Sequence, residues 1–184
     1  TISPDWGTPM PVRLGDSPRY MVIQDEGTGG GTFEVVAVLW QVAPDTQYLI
    51  VGSTLYDGGS PGNTMIRLFD DSGYGWEEAT GYAWPGVPLH TFLPGDLTID
   101  DLRAVEAIGA TVYVHLSEAD GYPVAHFWVN PDLVNAVCGG EDWFVPADPA
   151  AYLRYCDRIA GRVVPQVALR WDAERYRYRI DDDR

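Results

Sequence analysis

Apolar residues in the first half of the chain form short runs separated by turn-forming residues, a pattern typical of β-strands. The runs lie at Tyr20–Gln24, Thr32–Val42, Gln47–Tyr56 and Met65–Phe69. The short connection Ala43–Thr46 joins the two longest runs and contains Pro and Asp. This arrangement predicts an antiparallel hairpin.

The second half predicts two further hairpins. Asp120-Gly121 is a two-residue turn signal between the runs Ala110–Ser117 and Val124–Val129. A loop of that length would place His115 directly opposite His126. The C-terminal segment 163–184, rich in arginine, contains two runs on either side of a polar turn and predicts another hairpin.

Two amphipathic helices are predicted, over about 99–108 and 149–160. Thr98 and Asp101 have capping-box spacing before the first helix. Asp148 precedes Pro149 at the start of the second, a pairing of cap and first-turn proline that favours helix initiation. A shorter helix is expected over Pro131–Cys138.

These elements predict an α+β fold: a single globular domain over 1–184, with a mainly antiparallel sheet built from hairpins and two amphipathic helices. Residues 1–18, rich in Pro and Gly, are expected to form an irregular N-terminal arm. No apolar run approaches the roughly 20 residues of a membrane-spanning helix. We therefore expect no membrane partner.

The composition gives the chain a strong negative charge that is unevenly distributed along the sequence. The chain has 27 acidic residues, 12 arginines and no lysine, for a formal net charge of −15. Residues 1–153 carry 21 of the acids with four arginines, whereas residues 154–184 carry eight arginines with six acids. A negative field repels nucleic acid and attracts a basic partner.

One aromatic and histidine patch could bind a ligand. In the predicted register His115 and His126 share a sheet face with Tyr113 and Trp128. Such a patch could act as an acid–base pair or a ligand platform. The alternative is a cross-strand aromatic cluster that stabilises the sheet, because two histidines alone do not make a metal site.

Two charged groups are further candidates for binding. The acids Asp70, Asp71, Glu77 and Glu78 flank a turn, although their spacing does not match the twelve-residue calcium loop. The arginines form two stripes, one at helical and one at strand spacing: Arg154, Arg158, Arg162, Arg175, Arg177 and Arg179. These stripes could bind phosphate groups, or they could be neutralised by the acidic body.

The two cysteines, Cys138 and Cys156, are too few for a disulfide scaffold or a zinc site. Their spacing permits one bridge in a secreted protein, but we expect free, buried thiols in a reducing compartment. The expected location is therefore the cytoplasm or a virion rather than a secreted setting.

The sequence contains no nucleophile elbow, Walker loop, dinucleotide fingerprint or zincin helix. We therefore expect a non-enzymatic acidic interaction protein without a cofactor, which binds a basic protein partner or assembles with other proteins. An immunity protein, a phage-encoded inhibitor and a virion subunit are the three settings considered. Two alternatives stay open: a small hydrolase or metal-dependent enzyme using the His115/His126 patch, and nucleic-acid or phosphate binding through the arginine stripes. The oligomeric state also stays open.

Overall fold

The computed structural model describes residues 12–14, 19–25, 31–58, 60–71, 74–117, 122–140, 146 and 148–181. The fold is α+β with antiparallel sheets, as predicted. The strands are β1 Val12–Leu14, β2 Tyr20–Asp25, β3 Gly31–Ala43, β4 Thr46–Asp57, β5 Ser60–Pro61, β6 Met65–Asp71, β7 Trp76–Glu78, β8 Thr111–His115, β9 Val124–Trp128, β10 Gln166–Asp172 and β11 Arg177–Ile180. The helices are α1 Thr80–Ala83, α2 Ile99–Ala107, α3 Pro131–Cys138 and α4 Pro149–Arg158, with 3-10 turns at Leu89–Phe92 and Ala160–Arg162.

The larger sheet has seven strands in the order β1-β2-β3-β4-β6-β7, and β5 pairs with β4. The predicted hairpin between the two longest apolar runs is confirmed as β3 and β4, which pair from Gly31 opposite Asp57 to Ala43 opposite Thr46. Part of the expected irregular arm is instead a strand. Val12–Leu14 pairs with β2, because a short extended segment can complete the hydrogen bonds of the exposed β2 edge.

Strand register separates this sheet into two faces. We call the inner face the one that carries Glu34, Val36, Val38 and Trp40 on β3, together with their partners on the neighbouring strands. The outer face carries the alternate residues of each strand. Val38, Ile50 and Leu68 on the inner face are almost completely buried, which makes this face the core of the sheet.

Side chains from later strands cover the inner face. The rings of Tyr48 and Trp171 have centroids 4.9 Å apart, and Trp171 meets Tyr178 edge-on at 5.4 Å. Leu116 packs above Gly52, where an added Cβ would lie 3.1 Å from its Cδ1 atom. A glycine at this position therefore permits the close approach of the covering layer.

The smaller sheet has four strands in the order β11-β10-β9-β8. The C-terminal hairpin is confirmed, with Asp172 opposite Arg177 as the pair nearest its turn. Strands β8 and β9 are neighbours, as the hairpin prediction requires. The turn predicted at Asp120-Gly121 lies outside the described residues.

Both predicted amphipathic helices are confirmed. Helix α2 begins with the expected capping box between Thr98 and Asp101, and the side chain of Asp148 accepts a hydrogen bond from the Ala151 amide at the start of α4. The buried faces of these helices form one hydrophobic cluster with preceding and following turns: Leu93, Ala104, Val105, Ile108, Ala151, Tyr152, Tyr155 and Ile159. The helix α3 is also present where it was expected.

The chain divides into two compact units that interleave along the sequence. The first comprises Thr1–Gly86, Tyr113–Ala125 and Val167–Arg184, and the second comprises Val87–Val112 and His126–Gln166. That 1–184 behave as one domain remains a prediction. Of the helices in the described part of the chain, none is long and apolar enough to cross a membrane.

The prediction of free cysteines is wrong. Cys138 at the end of α3 and Cys156 on α4 form a disulfide, with their Cα atoms 5.5 Å apart. The burial prediction also fails, since Cys138 is exposed and Cys156 is only half-buried. The sequence showed two cysteines 18 residues apart, but only the packing of α3 against α4 brings them within bonding distance. The argument for a reducing compartment therefore loses its basis.

Removal of this disulfide should destabilise the fold. The double variant Cys138→Ser, Cys156→Ser should lose about 3 kcal/mol in free energy of unfolding, because the cross-link limits the entropy of the unfolded chain. Urea unfolding with and without dithiothreitol measures this loss. The reductant should shift the wild-type midpoint to that of the double variant and leave the variant unchanged; an unshifted wild-type midpoint would contradict the assignment.

Candidate functional site

A small polar pocket lies on the inner face of the larger sheet, near one end of β3 and β4. Its polar lining comes from two neighbouring strands, from the segment after β5 and from β8: Glu34, Thr54, Tyr56, Thr64, Tyr113 and His115. Strand register brings the residues of β3 and β4 together, because Glu34 pairs directly with Thr54 and Tyr56 lies two residues further along β4. The strand β8 brings Tyr113 and His115 to the same place.

Hydrogen bonds inside the pocket fix most of its polar groups. Gln24 donates from Nε2 to Glu34 Oε2 at 2.6 Å, and the Tyr56 hydroxyl donates to Glu34 Oε1 at 3.4 Å. Burial, followed by the charge of Glu34 and this hydrogen bond, raises the pKa of Tyr56 to about 12. Tyr56 is therefore a protonated donor at neutral pH rather than a base or nucleophile.

The threonines of the pocket have a structural role. The hydroxyl oxygens of Thr54 and Thr64 are 2.8 Å apart. Thr64 also accepts the backbone amide hydrogen of Val114 at 2.9 Å, which anchors β8 beside the larger sheet. These hydroxyls are thus engaged in holding the fold together.

The size of the pocket limits its chemistry. Its volume is about 20 Å³, which is room for roughly one water molecule. Substrate pockets are commonly several hundred cubic ångströms. Three or more polar side chains do converge here, but the space suits a bound water better than a substrate.

The predicted histidine and aromatic patch is only partly located in this pocket. Tyr113 and His115 line it, and both belong to the first unit. His126 and Trp128 lie on β9 in the second unit. The direct pairing of His115 with His126 remains a prediction.

Register divides the predicted acidic group between the two faces of the β6–β7 hairpin. Asp70 lies directly opposite Glu77 on the inner face, a juxtaposition of like charges that weakens a hairpin. Asp71 and Glu78 lie on the outer face. Among the described residues, no group of three or more His, Cys, Asp or Glu side chains is placed to hold a metal ion.

Glu78 has a cationic partner in this hairpin. Arg67 contacts it through two hydrogen bonds, Nε to Oε1 at 3.1 Å and Nη2 to Oε2 at 2.6 Å. These bonds lower the pKa of the Glu78 carboxyl below its usual range. The Arg67 guanidinium also lies 5.1 Å from the centre of the Phe69 ring.

The helical arginine stripe is engaged by acids of its own unit. Arg154 and Arg158 both contact Oδ1 of Asp101, at 2.7 and 3.1 Å. Arg162 forms an ion pair with Asp96. These contacts support the interpretation that the stripe is neutralised internally.

The strand stripe is shorter than predicted. Arg177 and Arg179 do alternate with buried Tyr178 on β11, but Arg175 lies in the preceding turn rather than on the strand. The Asp172 carboxylate accepts hydrogen bonds from the backbone amides of Glu174 and Arg175, at 3.1 and 3.2 Å. This side-chain turn takes Arg175 out of the extended run.

Asp101 is the most strongly bound acid of the second unit. Its carboxylate is fully buried and accepts hydrogen bonds from the Thr98 amide at 2.9 Å and the Thr98 hydroxyl at 2.8 Å, besides its arginine contacts. The Arg154 hydrogen bond is the largest cause of a pKa well below the ordinary carboxyl range, and the Thr98 bonds add to it. The sequence identified Asp101 only as a helix cap.

Comparisons with known proteins give the fold alone. No family model matches the chain, and no curated protein matches it. One solved structure is similar, a domain of an uncharacterized protein from Porphyromonas gingivalis W83, with a TM-score of 0.56 and 12% identity. The match covers 94% of this chain and 80% of that one, so the similarity extends to nearly all of the fold.

Asp101→Asn should lower the thermal midpoint at pH 7 more than the neighbouring control Asp100→Asn. The buried carboxylate would lose its charge while Arg154 and Arg158 stay in place. Because the folded pKa of Asp101 is lowered, its stabilisation is present above the ordinary carboxyl pKa, about 4, and is lost as pH falls toward the folded value. Thermal melts across pH should show the midpoints of the wild type and Asp101→Asn converging in acid. Equal losses for Asp101→Asn and Asp100→Asn at pH 7 would contradict this account.

Proposed function

We propose that this chain is a non-enzymatic acidic interaction protein that captures a basic protein partner. The observation that supports it best is the excess of acids over arginines. Residues 1–153 contain 21 acids, and the whole chain has 12 arginines. Even if every arginine paired with one of these acids, negative charge would remain for a partner.

The β6–β7 hairpin is the favoured contact region for such a partner. The opposed Asp70 and Glu77 cost stability to the isolated protein, and a cationic group placed between them would relieve that repulsion. Asp71 and Glu77 are both exposed. A negative surface of this kind accelerates encounter with a basic protein.

The small size of the polar pocket argues against the enzyme alternative at that position. Ion pairing of Arg154, Arg158 and Arg162 likewise reduces the support for nucleic-acid binding through the helical stripe. We retain the immunity protein, the phage-encoded inhibitor and the virion subunit as possible settings of the proposed interaction.

The disulfide changes the proposed location. Disulfides persist in secreted and periplasmic proteins and on virion or cell surfaces, and they are rare in the cytosol. We therefore propose an oxidising environment, and the virion subunit is the setting among the three that fits the disulfide most directly.

Association with a basic protein such as cytochrome c tests the proposed capture. Stopped-flow rates should fall steeply between low and high salt, because the attraction acts over a distance that salt screens. The double reversal Asp71→Lys, Glu77→Lys should reduce the low-salt association rate by roughly tenfold. Urea midpoints verify that the variant is folded.

The matched control carries the same charge change in the second unit. Glu106→Lys, Asp157→Lys reverses two exposed acids on α2 and α4 and should reduce the rate much less. A wild-type rate that is indifferent to salt would defeat the proposed capture. Equal losses for the two double variants would defeat the assignment to the hairpin.

A further inference from the structure

The outer face of the larger sheet is an apolar surface in the described part of the first unit. Register places Phe33 directly opposite Leu55, and Val35 in line with Ser53 and Met65. Further along, Leu39, Leu49 and Phe69 form another row across three strands. Between these rows lie Ala37, Val51 and Arg67, so the Arg67 guanidinium separates the two apolar rows on β6.

Several of these side chains are exposed to solvent. The exposed fraction is 39% for Phe33, 57% for Leu55 and 66% for Met65, and Trp76 at the end of the face is 46% exposed. Val35, Val51 and Phe69 between them are half-buried. Adjacent exposed and half-exposed apolar residues indicate an interaction surface, whereas isolated ones do not.

The sequence of β3 is typical of a strand that is covered on both faces. A sheet with one wet face alternates apolar and polar residues, whereas a sheet covered on both faces has near-continuous apolar strands. From Val35 to Trp40 every residue of β3 is apolar. Ile23 and Ala37, which lie on this face on β2 and β3, are buried, with an exposed fraction of 8% each, so this part of the face is covered. Phe33, Leu55 and Met65 mark the part that is exposed to solvent.

The charges of the outer face select a basic occupant. Register places the carboxylates of Asp25 and Asp57 on this face, near the row of Phe33 and Leu55. Its Arg67 is already bound to Glu78. A second copy of the chain would bring the same carboxylates and a further net charge of −15. The charges of the outer face therefore favour a cationic partner over a second copy of the chain.

We propose that the outer face docks an amphipathic helix of a basic partner protein, with the apolar side of the helix over Phe33, Leu55 and Met65 and its Lys or Arg residues beside the peripheral carboxylates. A helix is the element that most commonly forms the second layer on a sheet. This inference rests on the proposed capture of a basic partner. It adds the docking surface and the shape of the partner segment.

Two synthetic peptides of about 18 residues, or five helical turns, test the proposal. One is an amphipathic Leu/Lys helix, and the other has the same composition with its leucines scattered around the helix. The amphipathic peptide should bind the wild type at least tenfold more tightly in calorimetric titrations. The variant Leu55→Ser, Met65→Ser should lose that preference.

A matched variant controls for the loss of exposed apolar residues elsewhere. Ile99→Ser, Leu153→Ser removes two residues of similar exposure, 63% and 53%, from the second unit and should keep the wild-type preference. Urea midpoints of both variants verify that the fold is intact.

The outcomes separate this proposal from the proposed function. If both peptides bind equally and in a salt-sensitive way, electrostatic capture stands and the docking surface is overturned. If the Leu55→Ser, Met65→Ser variant binds the amphipathic peptide as tightly as the wild type, the docking surface is also overturned. If neither peptide binds the wild type even at low salt, both proposals fail.

Discussion

Burial of the inner face of the seven-stranded sheet is the interaction on which the rest of the first unit depends. Val38, Ile50 and Leu68 lie on neighbouring strands and are each at most 1% exposed. Removing side chains of this size from water contributes on the order of 2 kcal/mol each. Because strand residues alternate, fixing these three toward the core also fixes which residues face outward.

The outer face is therefore a consequence of the core. Leu55 and Met65 lie on the outer face because Thr54 and Ile66, their neighbours in sequence, are buried on the inner face. The same alternation divides the acids of the β6–β7 hairpin, with Asp70 and Glu77 on one side and Asp71 on the other. Apolar area and negative charge thus lie together on the outer face.

The two units treat their charges differently. In the second unit, a fully buried Asp101 draws Arg154 and Arg158 together and satisfies its remaining lone pairs with Thr98. In the first unit, opposed acids stay side by side on a hairpin. Arginine pairing also occurs in the first unit, between Arg67 and Glu78 and between Arg170 and Asp181, so the opposed acids of the hairpin are the feature that distinguishes it.

The sequence by itself determined most of the longer elements, since their signals are local. Periodicity and turn residues located the hairpin β3–β4, and caps at Thr98 and Asp148 located α2 and α4. Much of the candidate site could not be predicted in this way. The acids of the β6–β7 hairpin and the pocket residues Tyr113 and His115 were identified from the sequence. The pocket residues Glu34 and Tyr56 were missed, because only cross-strand register brings them into one pocket.

Tertiary structure alone decided the disulfide, the ion pairs of the helical arginine stripe and the exposure of apolar residues on the outer face. Each depends on contacts between segments far apart in the sequence: α3 with α4, Arg154 with Asp101, and β10 and β11 with the inner face. Local propensity contains no information about which partner a cysteine, an arginine or an apolar face will meet. The continuous apolar run of β3 was the sequence signal that both faces require cover, and only the structure shows that Phe33, Leu55 and Met65 are exposed on the outer face.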